Sequence, residues 1–263
     1  MLFEPERTQF DLKWRMFGIP VRVHPMFWLI TCVSGNYYLE RYGAVYLLLW
    51  VACFFVSILV HELGHVFMGR IFGRHGEIVL YGFGGLAIGS YDLPKRWQRI
   101  AISFAGPLAG FCLLGVVLLI RAYAFPERRD VFRAPDVVWT AADMLLLLNL
   151  IWGLINLLPV WPLDGGQVSR EVFTGMAPRQ GLRIALGLSF ILASGLAILF
   201  VVYSVMLRQG TVLLPFMASE GAAIDGIMPA ILFALLAVES LMLALQTRRP
   251  RRYQDDDDDP WAR

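Results

Sequence analysis

Val60-His61-Glu62-Leu63-Gly64-His65 lies near the end of an apolar run, Ala44 to Phe67, that is otherwise built mainly from Leu, Val, Phe, Ala, Trp and Tyr. On a helix, residues four apart share a face, so His61 and His65 can reach one zinc ion while Glu62 stands beside them to handle a proton. Ionisable groups inside a membrane span cost a few kcal/mol each and point to function. A bland reading of His-Glu-x-x-His as a chance pattern in a helix would have to place two histidines and a glutamate in hydrocarbon together.

The rest of the chain agrees with a membrane setting. Of 263 residues, 57% are hydrophobic and 17% charged, and the net charge of +2 gives no reason to expect nucleic acid. Cys32, Cys53 and Cys112 sit in apolar segments at wide spacings, which suits small buried hydrophobes and not a disulfide framework or a thiolate metal site. Residues 1–23 carry Arg7, Lys13, Arg15 and Arg22 without an apolar core and small-residue cleavage site, so no removable signal peptide is expected.

A spanning helix needs about 20 mainly apolar residues. Six candidates follow: Pro25 to Leu39, Ala44 to Arg70, Ile100 to Ile120, Val137 to Leu158, Leu182 to Leu207 and Gly226 to Gln246. The first is short and interrupted by Ser34-Gly35-Asn36, and the alternation from Gly18 to Pro25 before it suits an interfacial strand. Six spans put seventeen of the Lys and Arg residues on one side and six on the other, which places both termini in the cytoplasm, as in a bacterial inner membrane. Asp255 to Asp259 read as a solvated tail. The run Tyr81 to Gly89 is too glycine-rich for a helix and too short to span; it suits a re-entrant hairpin or a surface loop. The fold expected is therefore an all-α polytopic membrane protein of about six spans with a small membrane-embedded β-hairpin between the second and third.

Catalytic zinc sites usually take three protein ligands and leave one position open. Two more histidines exist, His24 and His75, both in positions that suit interfacial or capping roles. Asp164 follows Asn156-Leu157-Leu158-Pro159-Val160-Trp161-Pro162-Leu163 and precedes Gly165-Gly166. By itself Asp-Gly usually marks a turn or a cap. The second and fourth spans run in the same direction, however, so Asp164 reaches the same leaflet as His61 and His65, and ligation becomes the stronger reading. Glu171 and Glu239 are alternative third ligands, and Asn149 suits an interhelical hydrogen bond.

These residues resemble the site-2 proteases, which are intramembrane zinc metalloproteases. The resemblance rests on His61-Glu62-Leu63-Gly64-His65, the Asn156 to Gly166 segment, Gly106-Pro107-Leu108-Ala109-Gly110 and the run around Gly84-Gly85, and covers roughly residues 18 to 170. It implies one Zn2+ per chain held by His61, His65 and Asp164, with Glu62 as catalytic acid/base on a zinc-acidified water. It also implies an embedded sheet around Gly84 and Gly85 that receives an unwound, membrane-anchored protein substrate as an added strand, with Asn156 near the substrate. Residues 1–24 would form a cytoplasmic or interfacial segment, 25–170 the metalloprotease core, 171–247 additional transmembrane helices and 248–263 a charged cytoplasmic tail. No stretch is long enough for the appended PDZ or CBS module of many members, so a minimal form is expected, with an adaptor or a second copy open as a partner. The rival functions are a membrane zinc transporter, which would need a second cluster along a path, and a non-catalytic scaffold of the same fold.

Overall fold

The computed structural model describes residues 5–82, 84–124, 136–208 and 226–247. The tail containing Asp255 to Asp259 lies outside them. Two compact units emerge, one formed by residues 1–158 and 163–171, the other by 159–162 and 172–263.

The first unit begins with strands β1 (Leu12–Met16) and β2 (Ile19–Val23), joined at Phe17-Gly18. Both joining residues have positive φ, 52° and 71°, as a two-residue hairpin turn requires. Helices α1 (Pro25–Ser34) and α2 (Asn36–Tyr42) follow, then α3 (Ala44–Ile71), β3 (Glu77–Tyr81), β4 (Gly84–Ile88), α4 (Arg96–Ala124), α5 (Val137–Asn156) and the first eight residues, 164–171, of α6 (Asp164–Met176). The strands form one sheet in the order β1-β2-β3-β4, with β2 parallel to β3 and the other pairs antiparallel. The expected hairpin is thus half of a four-stranded sheet, completed by the alternating N-terminal segment. Its inner face, Ile19, Val21, Val23, Ile78 and Leu80, packs with Phe27 against Ile58, Leu59, Leu63 and Val66 of α3. Period-two strands thereby meet the second half of α3, the stretch that carries the histidines.

Among the described residues, five helices are long and apolar enough to cross a membrane: α3, α4, α5, α7 (Gly181–Arg208) and α8 (Ile227–Gln246). The sixth expected span, Pro25 to Leu39, is instead broken: α1 has 10 residues and α2 has 7, with Gly35 between them. A side chain at Gly35 would come within 2.8 Å of Leu47 Cδ1 and collide with Trp50. The direction of this broken passage is nonetheless defined. The backbone N–H of His24 donates to Leu80 of β3, whose strand partner Gly85 lies against Glu62 of α3, while Trp28 stacks on Phe55 and Tyr38 on Trp50. The pair α1–α2 therefore runs antiparallel to α3 along its length.

Large apolar side chains face outward on the spanning helices, among them Leu48, Leu108, Leu119 and Leu154. In a bilayer such exposure is the favourable arrangement, because the surrounding hydrocarbon is as apolar as the side chains. The protein is an integral, multi-pass membrane protein, mainly α-helical with one small sheet.

In the second unit α7 and α8 pair through Phe200 stacked on Phe233 and a 2.6 Å hydrogen bond between the Ser189 and Ser240 hydroxyls. The backbone N–H of Trp161 donates to Ser189 Oγ, which ties residues 159–162 to this hairpin.

Candidate metal centre

Helix α3 carries His61 and His65 one turn apart, and α4 crosses it closely there because both chains are small at the crossing. A side chain at Gly64 would collide with the Ala105 carbonyl and stand 2.8 Å from Ala109 Cβ. One at Gly106 would enter the space beside His65 Nε2 and lie 2.9 Å from His61 Nε2. The Gly-Pro-Leu-Ala-Gly stretch of α4 thus leaves an opening in front of both imidazoles.

Asp164 enters as the first residue of α6. Gly165 behind it rests against the carbonyls of Leu157 and Leu158, where a side chain would collide with the backbone. Asp164 Oδ2 is 3.1 Å from His61 Nε2, Asp164 Oδ1 is 3.3 Å from His65 Nε2, and the two Nε2 atoms are 3.2 Å apart. Ligand atoms about 2.0–2.1 Å from a tetrahedral zinc stand roughly 3.3 Å from one another, so this triangle has the edge lengths of one face of such a site. His65 Nδ1 is 2.7 Å from the Ile102 carbonyl. A carbonyl only accepts, so Nδ1 carries the hydrogen and Nε2 turns its lone pair to the centre, the usual arrangement of a metal-ligating histidine. His61, Glu62, His65 and Asp164 are all at most 5% exposed. So many ionisable groups in one dry place are costly unless a cation compensates them. On edge length, tautomer and burial the residues fit zinc.

Glu62 lies between this triangle and the sheet. A side chain at Gly85 of β4 would collide with its Cγ and Cδ. Gly84, next along the strand, lies against the Trp152 ring, which itself stands 6.5 Å from the His61 ring. Asn156 is buried and donates to the Trp152 carbonyl at 2.9 Å. Asn149, one face earlier, donates to Ser57 Oγ of α3 at 3.0 Å, the interhelical bond expected of it.

The alternative carboxylates are engaged elsewhere. Glu171 accepts from Arg99 at 2.6 Å and from Arg170 at 2.9 Å, and Arg99 also donates to the Leu93 carbonyl. Burial pushes the Glu171 carboxyl up, but the hydrogen bonds from Arg99 and Arg170 outweigh it and hold the group below its usual range. Glu239, on α8, accepts from the Trp161 side chain. His24 caps α1, accepting from Met26 N at 3.2 Å, and His75 lies in the connection after α3. Among the described residues, His61, His65 and Asp164 form the one His/Cys/Asp/Glu group able to hold a metal ion.

Sequence reasoning missed Tyr91 and Trp152. Tyr91 Oη is 3.4 Å from Asp164 Oδ1 and 3.3 Å from His65 Nδ1. Aromatic residues are common in membrane proteins, and neither position stands out by period or by neighbouring charge.

The model of peptidase family M50 matches residues 49–134 and 129–202, more than half of the chain. The zinc metalloprotease MJ0392 of Methanocaldococcus jannaschii is 32% identical over 162 residues, which are 61% of this chain and 44% of that protein. Stage IV sporulation protein FB of Bacillus subtilis is 28% identical over 72% of this chain and 61% of its own length. The putative zinc metalloprotease Rip3 of Mycobacterium tuberculosis is 35% identical over 69% of this chain and 52% of its own. The chain therefore spans about half the length of these relatives. In fold it is similar to the site-2 protease from Methanocaldococcus jannaschii, with a TM-score of 0.54 and 21% identity over 92% of this chain and 96% of that one. Matched across the histidine helix, the small-residue crossing of α4 and the Asp164 segment, the chain belongs to peptidase family M50, the site-2 protease family.

Proposed function

We propose that this protein is a zinc-dependent intramembrane peptidase that hydrolyses peptide bonds in or near the transmembrane segments of membrane-anchored proteins. The observation that carries the reading is the buried triangle of His61, His65 and Asp164 with Glu62 wedged between it and β4. The names of the relatives, zinc metalloproteases among them, support it.

His61, His65 and Asp164 hold the ion. When bound, zinc supplies Lewis-acid polarisation of a carbonyl and acidification of water. Glu62 takes the proton from the attacking water and delivers it to the leaving amine. Its burial against Gly85 keeps the carboxyl beside the sheet edge. The β4 strand is last in the sheet, so its outer edge is unpaired among the described residues and can receive an extended segment through backbone hydrogen bonds. A peptide bond in a helix is shielded, and strand addition exposes it while satisfying its backbone groups. Gly84 and Gly85 keep that edge low, and Asn156 and Trp152 border it. Substrate selection falls to this edge and to any adaptor.

The β1–β2 turn meets the end of α3, where Arg70 donates to the Phe17 carbonyl, so Lys13 and Arg15 gather near Arg70, Arg74, Lys95, Arg96 and Arg99. By the positive-inside rule this end, and the metal centre with it, is cytoplasmic, which suits a bacterial inner membrane with both termini inside. A transporter would carry a second ligand group along a path, and the described residues offer a single group.

Reconstituted wild-type protein is expected to cut peptides from a pool of transmembrane segments, while Glu62→Gln leaves them intact and keeps its zinc. Undiminished cleavage by Glu62→Gln would remove Glu62 from the mechanism.

A further inference from the structure

We propose that Tyr91 is a positioning residue of the metal centre, its phenol holding the Asp164 carboxylate in place, and that a glycine notch under the end of α3 fixes the turn presenting it. The inference rests on the reading of His61, His65 and Asp164 as zinc ligands.

Tyr91 comes three residues after β4. Its hydroxyl lies within reach of two of the three ligands, 3.4 Å from Asp164 Oδ1 and 3.3 Å from His65 Nδ1. Because the Ile102 carbonyl fixes the hydrogen on Nδ1, the phenol cannot donate to that nitrogen. The phenol donates to Asp164, whose ionised carboxylate only accepts, and Ser103 makes a second side-chain hydrogen bond with the phenol. Tyr91 thus restrains the carboxylate, while its ring lies 5.9 Å from the His65 ring. Ligating carboxylates are held by such outer partners, and losing one typically lowers metal affinity about 10–100-fold.

The turn bearing Tyr91 is built to stay put. Ser90 is fully buried, and its hydroxyl has no hydrogen-bond partner, so shape holds it there. A side chain at Gly69 of α3 would stand 3.1 Å from Ser90 Cβ, and one at Gly76 would collide with Ser90 Oγ and stand 3.0 Å from the Ile88 carbonyl. Gly89 takes φ +83°, which other residues rarely adopt, and a side chain there would stand 3.1 Å from the His75 carbonyl. Two glycines open the notch, the third bends the chain into it, and the next residue after Ser90 reaches the ligands. The strand beside Glu62 and the carboxylate ligand are thereby linked through one short turn.

The test is zinc affinity of the full chain in detergent, measured by competition with a fluorescent chelator, together with thermal unfolding of the metal-free protein. Tyr91→Phe keeps the ring and removes the hydroxyl. It is expected to weaken zinc binding about 10–100-fold and to leave metal-free unfolding unchanged, which a merely structural role would not do. Gly76→Val, which displaces Ser90, is expected to weaken zinc binding in the same direction with Tyr91 intact. A Tyr91→Phe affinity within about twofold of wild type, or a fall in metal-free stability that accounts for the loss, would overturn the inference while leaving the ligand set standing. Wild-type protein that binds no zinc would overturn the ligand set itself, and this inference with it.

Discussion

The two halves of α3 obey the same helical period yet pack against opposite kinds of neighbour. In the first half, Trp50 and Cys53 join Met144 and Leu148, and Trp50 stacks on Tyr38 while its indole donates to Ser34 Oγ at 3.1 Å. In the second, Gly64 admits the Ala105 backbone, Gly69 admits Ser90, Glu62 faces Gly85, and His61 and His65 face Gly106. Large aromatics fill space and stabilise by packing. Small residues vacate it, and the vacated space is where the ionisable side chains and a metal fit. The polar motif alone does not make the centre. The glycines on three other elements give it room.

Filling that room is expected to have the largest effect. Gly106→Leu would place a side chain in front of both imidazoles, and zinc affinity is expected to fall by at least about 100-fold, beyond the loss of an outer-shell partner, as metal titration would read. Retained affinity would mean that the opening is not the coordination space. The converse change, Trp50→Ala in the other half, is expected to cost about 3–5 kcal/mol of stability, read by unfolding in mixed micelles, with zinc affinity untouched. A parallel loss of zinc would show that the two halves are not separable.

A smaller effect tests how α6 is held. Glu171 lies seven residues beyond Asp164 and is held below its usual value of 4.5 by Arg99 and Arg170. A carboxyl lowered in the folded state contributes stability that is present above its unfolded value and lost as pH falls through the folded one. Between neutral pH and the range below about 4.5, the wild type should therefore lose more stability than Glu171→Gln, as acid titrations of thermal unfolding would show. Equal losses would mean that the ion pair does not fasten α6.

Much of the centre was legible in the sequence because charge inside hydrocarbon is conspicuous. The motif and the shared direction of the second and fourth spans lead to the expectation that Asp164 meets His61 and His65; the three lie together, and α3 and α5 are two spans of like direction despite the break at Gly35. The sheet was half legible. Alternation marked the strand near Val21 and glycines marked β4, but the parallel pairing of Val21 with Ile78 joins distant segments and leaves no local trace. Pro25 to Leu39 counts in the sequence as one span despite its interruption at Ser34-Gly35-Asn36, and the contact of Gly35 with Trp50, where two helices part, is tertiary. Tyr91 was invisible for the same reason: its partners lie 26 and 73 residues away.

A split zinc centre is tested most directly by the zinc content of the purified Asp164→Ala protein beside wild type and Glu62→Gln, measured by elemental analysis after chelator wash. One zinc per chain is expected in wild type and in Glu62→Gln, and almost none in Asp164→Ala. A full complement in Asp164→Ala would contradict the centre described here.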